Sequence, residues 1–272
     1  MFMRLFISVT LGLTGLINAS AAEEPYFTDH FTSVNPHRWS VDSTAPLSGF
    51  LIRPYRHGDE TRGELRTENR LTLVTKSKFP KGAHVSVRTT YEDTGNPLYV
   101  NQCVILMRTT GVVSQKRSWE VSDGLRLRVE YGHGQVTLEY ADSITGKVTG
   151  LAVAFVRAND LKEGLKLVDN PKEYKVPQIA PGNSGANWYT VEMVDNPKAG
   201  TVEAFMTWHR KDGEGTKENR EKVLSVTYAQ AAEKKCVIPH FPGTKVAISS
   251  REFIAGKLQV SFTREVKIEP VK

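Results

Sequence analysis

Cysteine is almost missing from this chain: only Cys103 and Cys236 occur in 272 residues. That excludes a disulfide-dense scaffold, so the fold has to be held by burial, which a chain of this length can supply. In an oxidising compartment the two cysteines can pair and close a long loop. A buried free thiol within the apolar stretch around Cys103 accounts for that residue equally well. Helical periodicity is also scarce. Only Tyr228 to Lys235 reads as helix, which excludes βαβ units and a parallel α/β sheet. The 7 histidines are scattered, with no H-x-H or H-E-x-x-H. No catalytic metal, and no other cofactor, is expected. There is no G-x-S-x-G and no phosphate-binding glycine loop. Gly182-Asn183-Ser184-Gly185 lacks the strand-to-helix context that such a loop needs. The formal charge of +6 is spread along the chain, without a Lys/Arg cluster interleaved with aromatics. Nucleic acid is therefore excluded as a partner, and acidic partners are only weakly favoured.

One apolar run stands out. Arg4 precedes the uncharged stretch Leu5 to Ile17, and Ala19-Ser20-Ala21 offers the small residues that a signal peptidase accepts. Residues 1–21 read as a signal peptide, which predicts a secreted or periplasmic protein. The run falls short of the roughly 20 apolar residues needed to cross a bilayer. No later stretch is long enough either, so no membrane span is expected. Residues 22–272 read as one domain.

What the mature part has in abundance is alternation with a period of two, in short runs bounded by Gly, Pro, Asn and Asp. Strands are predicted at Leu71–Thr75, Ala83–Tyr91, Val100–Met107, Leu125–Tyr131, Gln135–Tyr140 and Val148–Val156. They resume at Trp188–Val194, Thr201–His209, Val223–Tyr228, Lys245–Ser249 and Leu258–Ile268. Gly132-His133-Gly134 joins two of them into a hairpin. Asn159–Asn187 and Lys211–Lys222 read as polar loops. So many short strands call for two packed sheets or a barrel, hence an all-β domain.

Several short motifs resemble concanavalin A-like lectin/glucanase jelly rolls. Tyr26-Phe27-Thr28-Asp29-His30-Phe31 with Pro36-His37-Arg38-Trp39 looks like their first strand and its tryptophan. Asn69 to Leu73, Ser122 to Val129, Trp188 to Glu192 and Val260 to Ile268 resemble later strands, the last pairing beside the first. The resemblance implies a two-sheet antiparallel jelly-roll sandwich that handles polysaccharide on its concave sheet. Two departures follow. Glucanases of this kind carry E-x-D-x-E or E-x-D-x-x-E on one strand, whereas Trp119-Glu120-Val121-Ser122-Asp123 offers one Glu and one Asp three apart. In an extended strand these face opposite sides. Many members hold a structural calcium through an Asp of the last strand. Phe262-Thr263-Arg264-Glu265 has none, leaving only Asp29 and backbone carbonyls as ligands.

Arg62-Gly63-Glu64-Leu65-Arg66 is similar to the R-x-E-L-R strand of jelly-roll alginate lyases. Arg62, Glu64 and Arg66 then share one face, where arginines can pair with uronate carboxylates. The histidine of a lyase Q-x-H strand is missing at Gln102-Cys103-Val104, and its tyrosine is missing from Glu252 to Lys257. Further candidates for ligand contact are Arg128, Trp119, Glu120 and the pair Trp208-His209. His133 reads as a structural turn residue. The leading expectation is polysaccharide binding, with acidic polymers among the ligands. The alternatives are a polysaccharide-degrading enzyme, either a uronate-polymer lyase or a diverged glycoside hydrolase, and a non-catalytic envelope interaction protein.

Overall fold

Side chains that alternate between buried and exposed positions build sixteen strands among the described residues of the computed structural model. Those residues are 26–42, 49–68, 71–92, 101–112, 123–142, 145, 147–170, 177–182, 187–212, 215–250 and 260–272. The first eight strands are β1 (Phe27–Asp29), β2 (Trp39–Asp42), β3 (Gly49–His57), β4 (Glu60–Glu68), β5 (Leu71–Thr75), β6 (Ala83–Tyr91), β7 (Gln102–Thr109) and β8 (Gly124–Glu130). The others are β9 (Gln135–Ala141), β10 (Val148–Arg157), β11 (Lys166–Val168), β12 (Asn187–Asn196), β13 (Thr201–Asp212), β14 (Gly215–Thr227), β15 (Lys245–Ser250) and β16 (Val260–Glu269). A short helix, α1 (Tyr228–Glu233), is capped by Thr227, whose hydroxyl accepts from Gln230 N.

All strand pairs are antiparallel and fall into two eight-stranded sheets. Sheet I runs β14-β13-β12-β6-β16-β4-β3, with β1 also on β16; sheet II runs β11-β10-β9-β8-β7-β15-β5-β2. From β4 to β7 the chain changes sheet at every strand, and it changes again from β15 to β16. This is a jelly-roll sandwich. One continuous core fills the space between the sheets, with Val85, Val87, Tyr189 and Met193 from sheet I facing Ile105, Leu125, Leu127 and Val136 from sheet II. Fully burying such a side chain contributes about 1.5–3 kcal/mol.

The first motif owes its residues to this core. Asp29 Oδ2 accepts the indole N–H of Trp39 at 2.8 Å, and Oδ1 accepts Phe31 N at 2.8 Å. Trp39 and Phe31 are both buried. Gly63 donates to His30 O at 2.9 Å, and a Cβ there would lie 1.6 Å from Phe31 O. Its place in the Arg62–Arg66 stretch is thus imposed by a crossing backbone.

The structure corrects three expectations. Lys211–Lys222 is no loop: it belongs largely to the β13–β14 hairpin, with Thr207 opposite Arg220 and His209 opposite Glu218. β14 is a sheet edge, where long charged side chains are favoured, so hydropathy hid it. Asn159–Asn187 is not wholly irregular, because β11 pairs with β10 and Ile179 enters the core. The disulfide alternative is not realised: Cys103 and Cys236 are both buried free thiols. The signal peptide falls outside the described residues. Among those described, no helix is long and apolar enough to cross a membrane.

Candidate functional site

The β8–β9 hairpin places a charged cluster on the outer face of sheet II. Leu125, Leu127 and Val129 point into the core, so Arg126, Arg128 and Glu130 point outward. On β9, Val136 and Leu138 face inward and leave Gln135, Thr137 and Glu139 outside. Gly134 makes the turn with φ +63°, and a Cβ there would lie 2.1 Å from Val156 O. Cross-strand register sets Arg126 beside Glu139, and Glu130 beside both Gln135 and Gln102 of β7.

Although it lies outside the core, the cluster is screened from solvent. Arg126, Glu130 and Glu139 are 5%, 6% and 5% exposed. Burying single charges costs several kcal/mol each unless partners are supplied, and here they are. Arg126 Nε donates to Glu139 Oε1 at 2.7 Å, and Arg128 Nε to the same oxygen at 3.2 Å. Arg128 also pairs with Glu130. His133 Nδ1 lies 3.3 Å from Glu130 Oε2. Burial holds the His133 imidazole below its ordinary pKa, which favours the neutral ring at neutral pH.

Gln102 completes the cluster. Its Nε2 donates to Glu130 Oε1 at 3.2 Å, while its Oε1 is buried without a partner among the described residues. Leaving a buried carbonyl unpaired costs about 1–3 kcal/mol. Arg128 and His133 form the accessible rim, with side chains 16% and 27% exposed. Beside the charges lie Val104 and Leu106, part of a small apolar cluster on this outer face. Val153 of β10 is 56% exposed there. The arrangement offers N–H donors, carboxylate and amide acceptors, and adjoining apolar surface.

The other expected residues are divided by the sandwich. Arg62, Glu64 and Arg66 do share one face, the outer face of sheet I, but each is already paired. Arg62 Nε donates to Glu60 at 2.9 Å, Glu64 accepts Arg264 Nε at 2.9 Å, and Arg66 pairs with Glu68. Arg264 lies between the rings of Tyr55 and Trp188, 4.3 and 3.9 Å from their centroids. His209 is on the same face, 2.7 Å from Thr190 Oγ1 and 2.8 Å from Glu218. Trp208 is not available to a ligand. Strand alternation turns it inward, 1% exposed and stacked on Tyr189 at 6.2 Å. Arg128 lies on the opposite side of the molecule from Arg62 and Arg66, so the three do not form one groove. Trp119 and Glu120 lie outside the described residues.

Arg126, Glu130 and Glu139 were missed as site residues, and Gln102 was noted only for the histidine absent near it. The run R-L-R-V-E, answered by Q-V-T-L-E across a two-glycine turn, carries the signal. Polar residues at every second position on two adjacent strands must meet on one face. A calcium of the jelly-roll kind does not fit the residues present. Both Asp29 oxygens accept N–H donors, Glu265 faces His30, and no group of three or more His, Cys, Asp or Glu side chains is placed to hold a metal among the described residues.

No family model and no curated protein matches the chain. Among solved structures it is similar to one reported with endo-acting O-glycanases of the human gut microbiota. That match has 10% identity and a TM-score of 0.48, covering 90% of this chain and 99% of the other. It is also similar to the catalytic domain of an endo-1,3-β-glucanase (laminarinase) from Thermotoga petrophila, at 10% identity, TM-score 0.47, and 90% and 97% coverage. A third is the exoplasmic/lumenal domain of VIP36 in a form bound to Ca2+ and Man3GlcNAc, at 9% identity, TM-score 0.46, and 84% of each chain. The strand order and pairing described above, not these likenesses, carry the fold.

Proposed function

We propose that this chain is an exported polysaccharide-binding protein whose binding surface is the outer face of sheet II. One observation carries the reading: Gln102 Oε1 is buried and unpartnered inside a network that satisfies the groups around it. A sugar hydroxyl donates to such a carbonyl and can accept from the rim guanidinium of Arg128. Arg126 and Arg128 balance Glu130 and Glu139, so the floor has no net charge and favours a neutral, hydroxyl-rich ligand. Exposed Val153 supplies apolar surface for the C–H face of the sugar.

The test is affinity electrophoresis through gels holding laminarin, xylan or dextran. At least one polymer should retard the protein, and Gln102→Met and His133→Ala should weaken that retardation. Migration unchanged in all three gels would overturn the reading. A second reading, catalysis, is favoured by the neutral His133 against Glu130, a group able to take a proton. Release of reducing ends, or absorbance of unsaturated uronates from alginate, would establish it. Export is tested by whether residues 1–21 direct the protein out of the cytoplasm.

A further inference from the structure

The outer face of sheet II continues past the charged cluster onto β10 and β11, and strand register orders it into rows that cross the strands. Gln102 of β7 pairs with Glu130 of β8, and Glu130 with Gln135 of β9. Gln135 pairs with Phe155 of β10, and Phe155 with Val168 of β11. The next row runs Val104, Arg128, Thr137 and Val153. Exposure is greatest on the last strands. Gln102 and Glu130 are buried, Gln135, Phe155 and Val168 are half-buried, and Val153 is exposed. Phe155 points outward because Ala154 and Val156, its neighbours along β10, pack into the core.

From this we infer that Phe155 is a sugar-stacking residue of the sheet II face, and that the bound polysaccharide crosses the strands from Gln102 to Phe155 rather than following one of them. The inference rests on the binding reading above and gives it a direction and an anchor. An outward aromatic ring offers its negative face to the C–H groups of a sugar ring. Val153 and Val168 flank Phe155 and widen the apolar surface. Gln135, its neighbour in the row, donates its amide N–H to Thr137 at 2.9 Å, and its carbonyl can accept from a sugar hydroxyl. A chain lying along β8 and β9 would meet only the charged, amide and hydroxyl groups of Arg126, Arg128, Glu130, Gln135, Thr137 and Glu139. It would leave the sugar's C–H faces without a partner. Gln102 and Phe155 are three strand spacings apart, about 14 Å at roughly 4.8 Å each. That span calls for several linked sugars, not one.

The experiment titrates laminari-, xylo- and isomalto-oligosaccharides of two to six sugars into the full chain by calorimetry. In a series that binds, affinity should climb with length until the ligand spans the row, then level off. Phe155→Ala should weaken the hexasaccharide about threefold to tenfold, as loss of one aromatic contact implies, and flatten the gain with length. Phe155→Trp should keep that gain. Leu161→Ser removes an apolar side chain that is 48% exposed in the β10–β11 connection, outside both rows. It should change nothing, and a loss equal to that of Phe155→Ala would show indiscriminate apolar adsorption and overturn the inference. If Gln102→Met weakens binding while Phe155→Ala does not, the direction and the anchor are wrong but the sheet II site stands. If no series binds, the binding reading falls and takes this inference with it. Near-UV circular dichroism confirms that each variant is folded.

Discussion

Arg108 at the end of β7 donates its Nε to Asp195 of β12 at 2.7 Å, joining one sheet to the other. Asp195 is wholly buried. Arg108 adopts φ +53°, a left-handed conformation uncommon for a residue with a side chain. Tyr228 adds a hydroxyl to the same carboxylate. Replacing Arg108 with alanine strands a buried charge, at a cost of about 3–5 kcal/mol. Urea denaturation should show that loss as a lower midpoint at nearly constant m-value. A change under 1 kcal/mol would mean the pair is not buried as described.

A second prediction concerns acid. Burial alone would raise the Glu192 pKa, but hydrogen bonds from His84 and Arg220 hold it down at about 2. A carboxylate depressed in the fold stabilises it above its unfolded value, about 4.3. That stability is lost as pH falls from there towards 2. Glu192→Gln should therefore flatten the decline in thermal midpoint between about pH 4.5 and 2.5. Parallel curves for the two proteins would refute the assignment.

The sheet II site predicts a separation between affinity and stability. His133 is at the rim, so His133→Ala should reduce polysaccharide affinity several-fold with a thermal midpoint nearly unchanged. Arg128→Ala, by contrast, removes a partner from Glu130 and Glu139 together. It should lower both affinity and stability, the latter by about 3 kcal/mol or more. Calorimetric titration paired with thermal melts distinguishes the two patterns.

The thiols give a simple check. Burial pushes Cys103 up to about 12 and Cys236 up to about 11, and only thiolates react readily. The native protein should show almost no reaction with a thiol reagent at pH 8. The unfolded protein, without reductant, should show two reactive thiols. Finding none after unfolding would mean that the cysteines are joined.

Alternation made most of this architecture legible. The strands from Leu71 to Val156 and the β8–β9 hairpin were visible because most alternate, while Val100 to Met107 stood out as an unbroken apolar run, as a strand buried on both faces does. β16 was legible for the same reason, and its pairing with β1 followed from the jelly-roll resemblance. β3 and the charged part of β14 up to Lys222 were not, since an edge strand rich in charge carries no apolar stripe there, whereas Val223 to Thr227, whose Val223, Leu224 and Val226 are buried, was read as a strand. The candidate site failed in an instructive way. Arg62, Glu64 and Arg66 were correctly placed on one face, but spacing along a strand says nothing about which sheet it joins. Arg128 therefore seemed to belong with residues that lie on the far side of the core. Trp208 and His209 adjoin in sequence, yet the pleat sends one inside and the other out. Gln102 was found only through an unfilled hydrogen bond, which no linear pattern encodes.

The four margins of the sandwich share one property. Sheet II ends in strands of three and four residues, β11 and β2. Sheet I ends in β3, interrupted by Pro54, and in β14, whose Arg220 and Lys222 fold back onto Glu192 and Glu203. Two copies meeting side by side find short edges on sheet II and, on sheet I, a proline without an N–H and a row of charged side chains. Edge-to-edge growth into fibrils is therefore opposed at each margin of the sandwich.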